Sequence, residues 1–389
     1  MESEIKIMVV AGEASGDLHA AKLVNALREK AGDRNISFFG CAGPRLREAG
    51  VEPIVTADSL SIVGLLEIGR ALPTFWKAFQ RLKTAAADRR PDVAILVDFP
   101  DFNLKLASSL KRSGLKVVYY ISPQLWAWRK YRLRTIRKYV DLMIAILPFE
   151  KGWYNAHGVQ HVEYVGSPLA MEVHADLDRV EFCKKHKLEP QLPIVSLLPG
   201  SRHKEITRIF PIMLASAALV AEKLPQTQFV TPMGSPAALK EASAIFEHLR
   251  SAGRAAPHEV IFTENETYNA LNASDVAAVT SGTATLETGI IGTPMAIVYK
   301  TSTVNYKLLR PLISVEHFGL INLIAGERVA KELIQDDFTP LALCDELLRL
   351  LEPSANRETR VKLKAAADKL GHGGASKRAA EAIFKLIEG

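Results

Sequence analysis

Short apolar runs alternate with amphipathic stretches through most of this chain. In the first half the runs Ile5–Val10, Ser37–Phe39, Val93–Val97, Lys116–Ile121, Leu142–Ile146 and Val162–Val165 read as strands. They are separated by segments long enough for a crossover helix, such as Leu18–Lys30. Continuous Val/Ile/Leu runs joined by helix-sized crossovers predict a parallel sheet covered on both faces. Met171–Pro193 is polar and reads as a linker with one short helix. The alternation resumes at Ile194–Leu198, Gln228–Thr231, Glu259–Phe262, Val276–Val279 and Met295–Val298, and Phe338–Leu351 and Arg360–Glu388 read as helices with a break at Gly371–Gly374. The pattern predicts two doubly wound α/β domains in series: residues 1–170, a linker at 171–193, a second domain at 194–352, and C-terminal helices at 353–389 that pack back on an N-terminal domain, the chain's own or a partner's. At 389 residues the chain exceeds the roughly 250–300 residues at which single cores stop growing.

In open α/β sheets ligands sit beyond the carboxyl ends of the strands, so the strand-to-helix loops are the places to search. The first, after Ile5–Val10, is Ala11-Gly12-Glu13-Ala14-Ser15-Gly16-Asp17. Its glycines suit a tight turn and close approach of a ligand at a helix N-terminus. Its two acids would repel a pyrophosphate, so a neutral, hydroxyl-rich group such as a sugar is the expected guest, with a merely capped turn as the alternative. The second, Leu96–Asn103, puts Asp98 at a strand's carboxyl edge, where a carboxylate can take a proton from an attacking hydroxyl. Asp98 and Asp101 compete for that role, and either could instead cap the next helix; Asp98, nearer the strand end, is preferred.

In the second domain, Leu198-Pro199-Gly200-Ser201-Arg202 offers backbone N–H groups and a guanidinium suited to phosphate oxygens, unless Arg202 is simply paired with Glu205. In Thr280–Glu287, Ser281, Gly282, Thr283 and Thr285 combine hydroxyls, a glycine and a helix start, a pattern fit for a diphosphate leaving group. Glu287, about one turn further on, could reach a ribose diol.

Charge and composition narrow the field. The 49 Lys and Arg against 43 Asp and Glu give a mild +6, which favours anionic partners in general. The three cysteines, Cys41, Cys183 and Cys344, lie far apart without a CxxC pair, suggesting neither disulfides nor zinc; a reducing cytoplasm fits best. The N-terminus does not resemble a signal peptide, and no apolar stretch reaches the ~20 residues of a membrane span. Membrane contact would then be peripheral. Ile62–Ile68 is unusually apolar, and in Pro73–Lys83 the residues Phe75, Trp76, Phe79 and Leu82 share a face opposite Lys77, Arg81 and Lys83. Such a helix suits an anionic membrane surface or an acyl groove, or it packs on the core. Trp126–Lys138 mixes aromatics with cations but is one cluster on a mixed surface, so nucleic acid is not an expected partner. Asp176-Leu177-Asp178 matches the DxD of metal-dependent sugar transferases, yet it follows no strand and is discounted; no metal or other cofactor is expected, a nucleotide-sugar being a substrate.

Several motifs, in order along nearly the whole chain, resemble the lipid A disaccharide synthase family: GEASGD at Gly12–Asp17, LVDFPDFN at Leu96–Asn103, SPQLWAWR at Ser122–Arg129, LPFEKGWY at Leu147–Tyr154, LPGSR at Leu198–Arg202 and SGTATLE at Ser281–Glu287. The resemblance implies a GT-B fold, two Rossmann-like domains facing an interdomain cleft. It implies an inverting, metal-independent transfer that condenses UDP-2,3-diacylglucosamine with 2,3-diacylglucosamine 1-phosphate to a β-1,6-linked disaccharide 1-phosphate and UDP, at the cytoplasmic face of the inner membrane. By match to the family's motifs, Asp98 is the important aspartate, Arg202 the phosphate-side arginine, Glu287 the ribose-side glutamate, and Asn322 an asparagine beyond the last strands. Gly12, Glu13, Ser15, Gly16, Asp17 and Asn103 join the expected substrate-binding set. Gly166-Ser167-Pro168 stands where the family commonly has Gly-His-Pro, so no histidine role carries over there. A homodimer is a further partner state to consider, and a soluble UDP-N-acetylglucosamine 2-epimerase of similar fold is the rival reading.

Overall fold

A computed structural model describes residues 4–57, 68–302, 306 and 316–389. Seven strands, β1 (Ile5–Ala11), β2 (Ile36–Ala42), β3 (Glu52–Thr56), β4 (Val93–Val97), β5 (Lys116–Tyr120), β6 (Leu142–Ala145) and β7 (Val162–Tyr164), form one sheet in the order β3-β2-β1-β4-β5-β6-β7. Six more, β8 (Ile194–Leu198), β9 (Gln228–Met233), β10 (Ile261–Glu264), β11 (Val276–Thr280), β12 (Met295–Tyr299) and β13 (Lys331–Ile334), form a second in the order β10-β9-β8-β11-β12-β13. The ladders are parallel. β4, β8 and β11 are buried at every position, as strands covered by helices on both faces must be. In each sheet the order reverses at one pair, β1/β4 and β8/β11, and the loops beyond those strand ends are the topological switch points.

The chain divides into two compact units, 1–168 with 372–389, and 169–371. The boundaries therefore differ from those expected. Polar 171–193 is no free linker: helix Arg179–His186 buries Phe182 and Cys183 against Ile194, Ala270 and Ala273, a small apolar face that the surrounding charge hides in the sequence. Nor do the C-terminal helices act together. Pro353–Asp368 stays with the second unit, where Arg360 donates to the carbonyls of Gly292 and Ser274. Ala375–Glu388 joins the first, with Ala379, Ala380, Ile383 and Phe384 in the core that surrounds helix Ala14–Ala31.

Helix Ile68–Arg89 turns Ala78, Leu82 and Ala86 into the core, with Phe75 and Phe79 half-buried against it. The expected single apolar face is thus split, because Trp76 points outward at 63% exposure. Residues 62–67 of the apolar run lie outside the described residues. Among the described residues no helix is long and apolar enough to cross a membrane.

Candidate active site

At the β1/β4 switch point, Asp98 and Phe99 follow β4 with φ of 46° and 49°. Two successive non-glycine residues in the left-handed region cost on the order of 1–3 kcal/mol each unless their surroundings hold them. The restraints are visible. Tyr119 Oη donates to the Asp98 carbonyl at 2.6 Å, the Asp98 N–H donates to the Tyr120 carbonyl at 3.0 Å, and Asn103 Nδ2 donates to the carbonyls of Asp98 and Val97 at 2.9 and 3.1 Å. The kink lifts the Asp98 side chain out of the strand direction before helix Pro100–Arg112 begins, with Pro100 at its first position.

Burial pushes the Asp98 carboxyl up to about 6, and the negative charge of Glu13 on the facing β1 loop adds to it, against a lowering hydrogen bond from the Phe99 backbone. Asp101 is placed quite differently. Its carboxylate is exposed and shared by two guanidinium groups, Arg129 at 3.0 Å and Arg132. Of the two competing acids, Asp98 has the environment of a base poised near neutral pH.

Other expected residues of this loop pair have different work. Asp17 is 2% exposed and both its oxygens are taken: Gly43 and Arg45 donate backbone N–H groups at 2.8 Å, and Leu46 at 3.3 Å. Three backbone donors on a carboxylate this buried make Asp17 the cap of helix Pro44–Glu48, a structural role beside the expected substrate contact. Asn103 is fully buried as the clamp just described, so it too supports the site from behind. Gly12 and Gly16 do not serve a left-handed turn. Gly12 lets the ring of Phe99 lie against its backbone, where any Cβ would collide, and Gly16 sits inside helix Ala14–Ala31, where a Cβ would meet Val97 only at ordinary contact distance. Glu13 and Ser15 remain exposed at the helix start.

Beyond β5 and β6, the two motifs SPQLWAWR and LPFEKGWY meet. Trp126 Nε1 donates to Glu150 Oε1 at 3.1 Å, the backbone N–H of Leu147 donates to Oε2 at 3.0 Å, and Ser122 Oγ and Tyr154 Oη share a hydrogen bond of 2.9 Å. Burial raises Glu150 to about 7 despite these donors. The network fixes the loop that carries Trp128 and Arg129. Glu150 lies within the LPFEKGWY motif but reads there as the opening of a helix, and Tyr119 reads as part of a strand, so neither stands out as a network member from the sequence.

In the second unit, Arg202 ends the β8 loop with its side chain 80% exposed and its Nη1 donating to Glu205 Oε1 at 2.8 Å. Glu205 Oε2 also accepts from the Ser201 and Arg202 N–H groups. The pairing weighed from sequence is therefore present, but a pair this exposed is worth at most about 1 kcal/mol and leaves the guanidinium available. After β11, Gly282 has φ 156° and ψ −160°, a region open in practice only to glycine, with empty space where a side chain would stand. Thr283 is exposed beside it at the start of helix Thr283–Ile291.

Ser281 Oγ donates to the Phe318 carbonyl at 2.9 Å. Thr285 is buried, donating to the Gly282 carbonyl at 2.8 Å and accepting from Leu320 N–H at 3.1 Å, so it shapes the loop and is not free for phosphate. Asn322 is likewise committed: its Nδ2 donates to Ala330 O and Glu332 Oε1, and its Oδ1 accepts from Ala330 N–H. Glu332 in turn accepts the N–H groups of Phe318 and Gly319. Asn322 thus pins the 317–319 loop beside Ser281, one step removed from any ligand there. Glu287 is half-buried and raised by desolvation, while a hydrogen bond with Tyr268 lowers it. Tyr268, pushed up to about 12 by burial and by Glu287, went unremarked in the sequence, although it opens the helix after β10 where the strand-end rule points.

The formal DxD is a capping box: Asp178 Oδ1 accepts from Glu181 N–H at 2.9 Å and Glu181 Oε2 from Asp178 N–H at 3.1 Å. Among the described residues no three His, Cys, Asp or Glu side chains cluster so as to hold a metal ion.

Two doubly wound parallel sheets in one chain, each with its polar groups gathered at the switch point, define a GT-B-type enzyme. Solved structures share the architecture: a putative UDP-N-acetylglucosamine 2-epimerase from Listeria monocytogenes, TM-score 0.67 at 18% identity over 99% of this chain and 97% of that one, and a UDP-GlcNAc 2-epimerase from Neisseria meningitidis, TM-score 0.63 at 15% over 98% and 100%. Within that class the chain belongs to the lipid-A-disaccharide synthetase family, whose model matches residues 7–386. It is 42% identical over 384 residues to the lipid-A-disaccharide synthase of Geobacter metallireducens, covering 98% of this chain and 97% of that one. To that of Myxococcus xanthus it is 41% identical over 388 residues, covering 100% and 99%.

Proposed function

We propose that the protein condenses UDP-2,3-diacylglucosamine with 2,3-diacylglucosamine 1-phosphate, forming a β-1,6-linked disaccharide 1-phosphate and releasing UDP. The observation that carries the mechanism is Asp98, a carboxylate with no cationic partner among the described residues, raised to about 6 by burial and by Glu13 and held in a restrained backbone kink at a switch point. It takes the proton of the acceptor's 6-hydroxyl as that oxygen bonds to the anomeric carbon of the donor. The bond from that carbon to the diphosphate breaks on the opposite face, the electron pair leaves with UDP, and the configuration inverts to β. Arg202, the open backbone at Gly282, Thr283 and the helix start after β11 receive the departing diphosphate. Glu287, with Tyr268, takes the ribose diol.

The family's membership and its 39–42% relatives support this reaction; the epimerase reading has the fold alone. The lipid substrates put the protein at the cytoplasmic face of the inner membrane, where exposed Trp76 and its stacked neighbour Phe79 suit peripheral contact, and they leave a homodimer open to measurement. Incubation with both acylated substrates should release UDP only when acceptor is present. UDP release from donor alone, or 2-epimerisation of UDP-N-acetylglucosamine, would remove the proposal.

A further inference from the structure

Two chemically opposite surfaces flank Asp98 within the first unit. On one side the half-buried rings of Phe75, Phe79 and Phe99 gather over buried Phe102 in a continuous aromatic cluster, with ring centroids 5.6–6.2 Å apart. On the other, Trp126–Tyr139 carries six cations, Arg129, Lys130, Arg132, Arg134, Arg137 and Lys138, and no acid. Two of these guanidinium groups converge on one carboxylate, Asp101, three residues from Asp98, so that site keeps a surplus positive charge. Arg129 is the accessible member. It is held by a left-handed backbone (φ 56°, ψ 39°) and by stacking 4.1 Å over Trp128, with its side chain 34% exposed. Arg132 lies beneath it, 10% exposed. The Glu150–Trp126 hydrogen bond anchors the strap from below. A guanidinium fork restrained in this way is built for bidentate contact with an oxyanion, and nothing else in the proposed mechanism uses it.

We infer that Arg129, backed by Arg132, is the subsite for the acceptor's anomeric phosphate, while the Phe75–Phe79–Phe99–Phe102 cluster takes the near ends of its acyl chains. The inference rests on the proposed reaction and adds the orientation of its acceptor: phosphate toward the β5 loop, chains toward helix Ile68–Arg89, 6-hydroxyl toward Asp98. Incoming phosphate shares the guanidinium groups with Asp101 or displaces it.

The test is equilibrium binding of 2,3-diacylglucosamine 1-phosphate in neutral detergent micelles, read without turnover, so that it stands or falls separately from the reaction itself. Arg129→Ala should weaken binding about tenfold or more, Arg129→Lys less. UDP affinity, a property of the other unit, should not move and serves as the folding control. With the dephosphorylated acceptor, wild type and Arg129→Ala should bind alike. Equal loss for phosphorylated and dephosphorylated acceptor, no loss for either, or a loss seen only on vesicles containing an anionic phospholipid, which would make the strap a reader of membrane headgroups, would each overturn the assignment. Absence of disaccharide formation by wild type, with the binding pattern intact, would instead count against the proposed reaction.

Discussion

Asp98 has two measurable consequences, one for rate and one for stability, and they run in opposite directions with pH. As a base it works only when deprotonated, so kcat/KM should be flat above about pH 6 and fall about tenfold per unit below it. Glu13→Gln removes the like charge that helps raise Asp98, and should move this acid limb to lower pH; an unmoved limb would show that another group titrates. Asp98→Ala or Asn should cut turnover by roughly 10²–10⁴-fold with UDP affinity retained. Because its folded pKa lies above the ordinary value, Asp98 favours the folded state fully below about pH 4, and that contribution disappears as pH rises through about 6. The inactive Asp98→Asn variant should therefore be more stable than wild type at pH 8, by about 1–2 kcal/mol after allowance for partial exposure, and the difference in denaturation midpoint should close toward pH 4. The position of Asp98 at a strand end is legible in the sequence, but its left-handed kink and the Tyr119 and Asn103 restraints are not. They depend on side chains brought from other strands, and Asn103 reads equally well as a contact for substrate.

At the scale of elements, the strand-end rule located the loops after β1, β4, β8 and β11 from hydrophobic runs alone, because central parallel strands have no polar face to confuse the pattern. It could not say which residues of a loop look outward. Asp17 and Thr285 are polar residues beyond the right strands that spend their hydrogen bonds inward, as does Asn322, which only the family resemblance singles out. Edge strands β3 and β13 were missed for the converse reason, since Glu52–Thr56 and Lys331–Ile334 mix charge with too few apolar positions. This division is testable. Asp17→Ala should cost about 1–3 kcal/mol of stability by uncapping helix Pro44–Glu48, with UDP affinity intact, as chemical denaturation and titration would show. Arg202→Ala should do the reverse, leaving the denaturation midpoint unchanged and weakening UDP about tenfold. Glu287→Gln should lessen discrimination between UDP and its 2′-deoxy analogue; undiminished discrimination would take Glu287 off the ribose.

At the scale of the whole molecule, two doubly wound units follow from the two series of strands, and a return of C-terminal helices to an N-terminal domain is expected with them, but the point at which Pro353–Asp368 and Ala375–Glu388 part company is not legible. Ala375–Glu388 is amphipathic like many helices, and its place is set by its packing on Ala14–Ala31 together with the hydrogen bonds from Lys116 to its Leu386 and Ile387 carbonyls and from Arg378 to the Val165 carbonyl. Phe384 is 1% exposed there, and Phe384→Ala should destabilise the first unit by about 3–5 kcal/mol. Followed by separate probes, Asp98-dependent turnover should be lost at lower denaturant than UDP binding. Residues 169–371 hold strands β8–β13, so the second unit draws its core from one continuous stretch of chain. The first unit, though its strands are synthesised earlier, lacks a wall until helix Ala375–Glu388 has been made. In a chain made at roughly 5–20 residues per second, the surface carrying Asp98 waits tens of seconds, half-built and with apolar helix faces uncovered. Helix Ala375–Glu388 thereby couples the first unit to the synthesis of the second, since a polypeptide truncated before it leaves the Ala379, Ile383 and Phe384 side of the first core open.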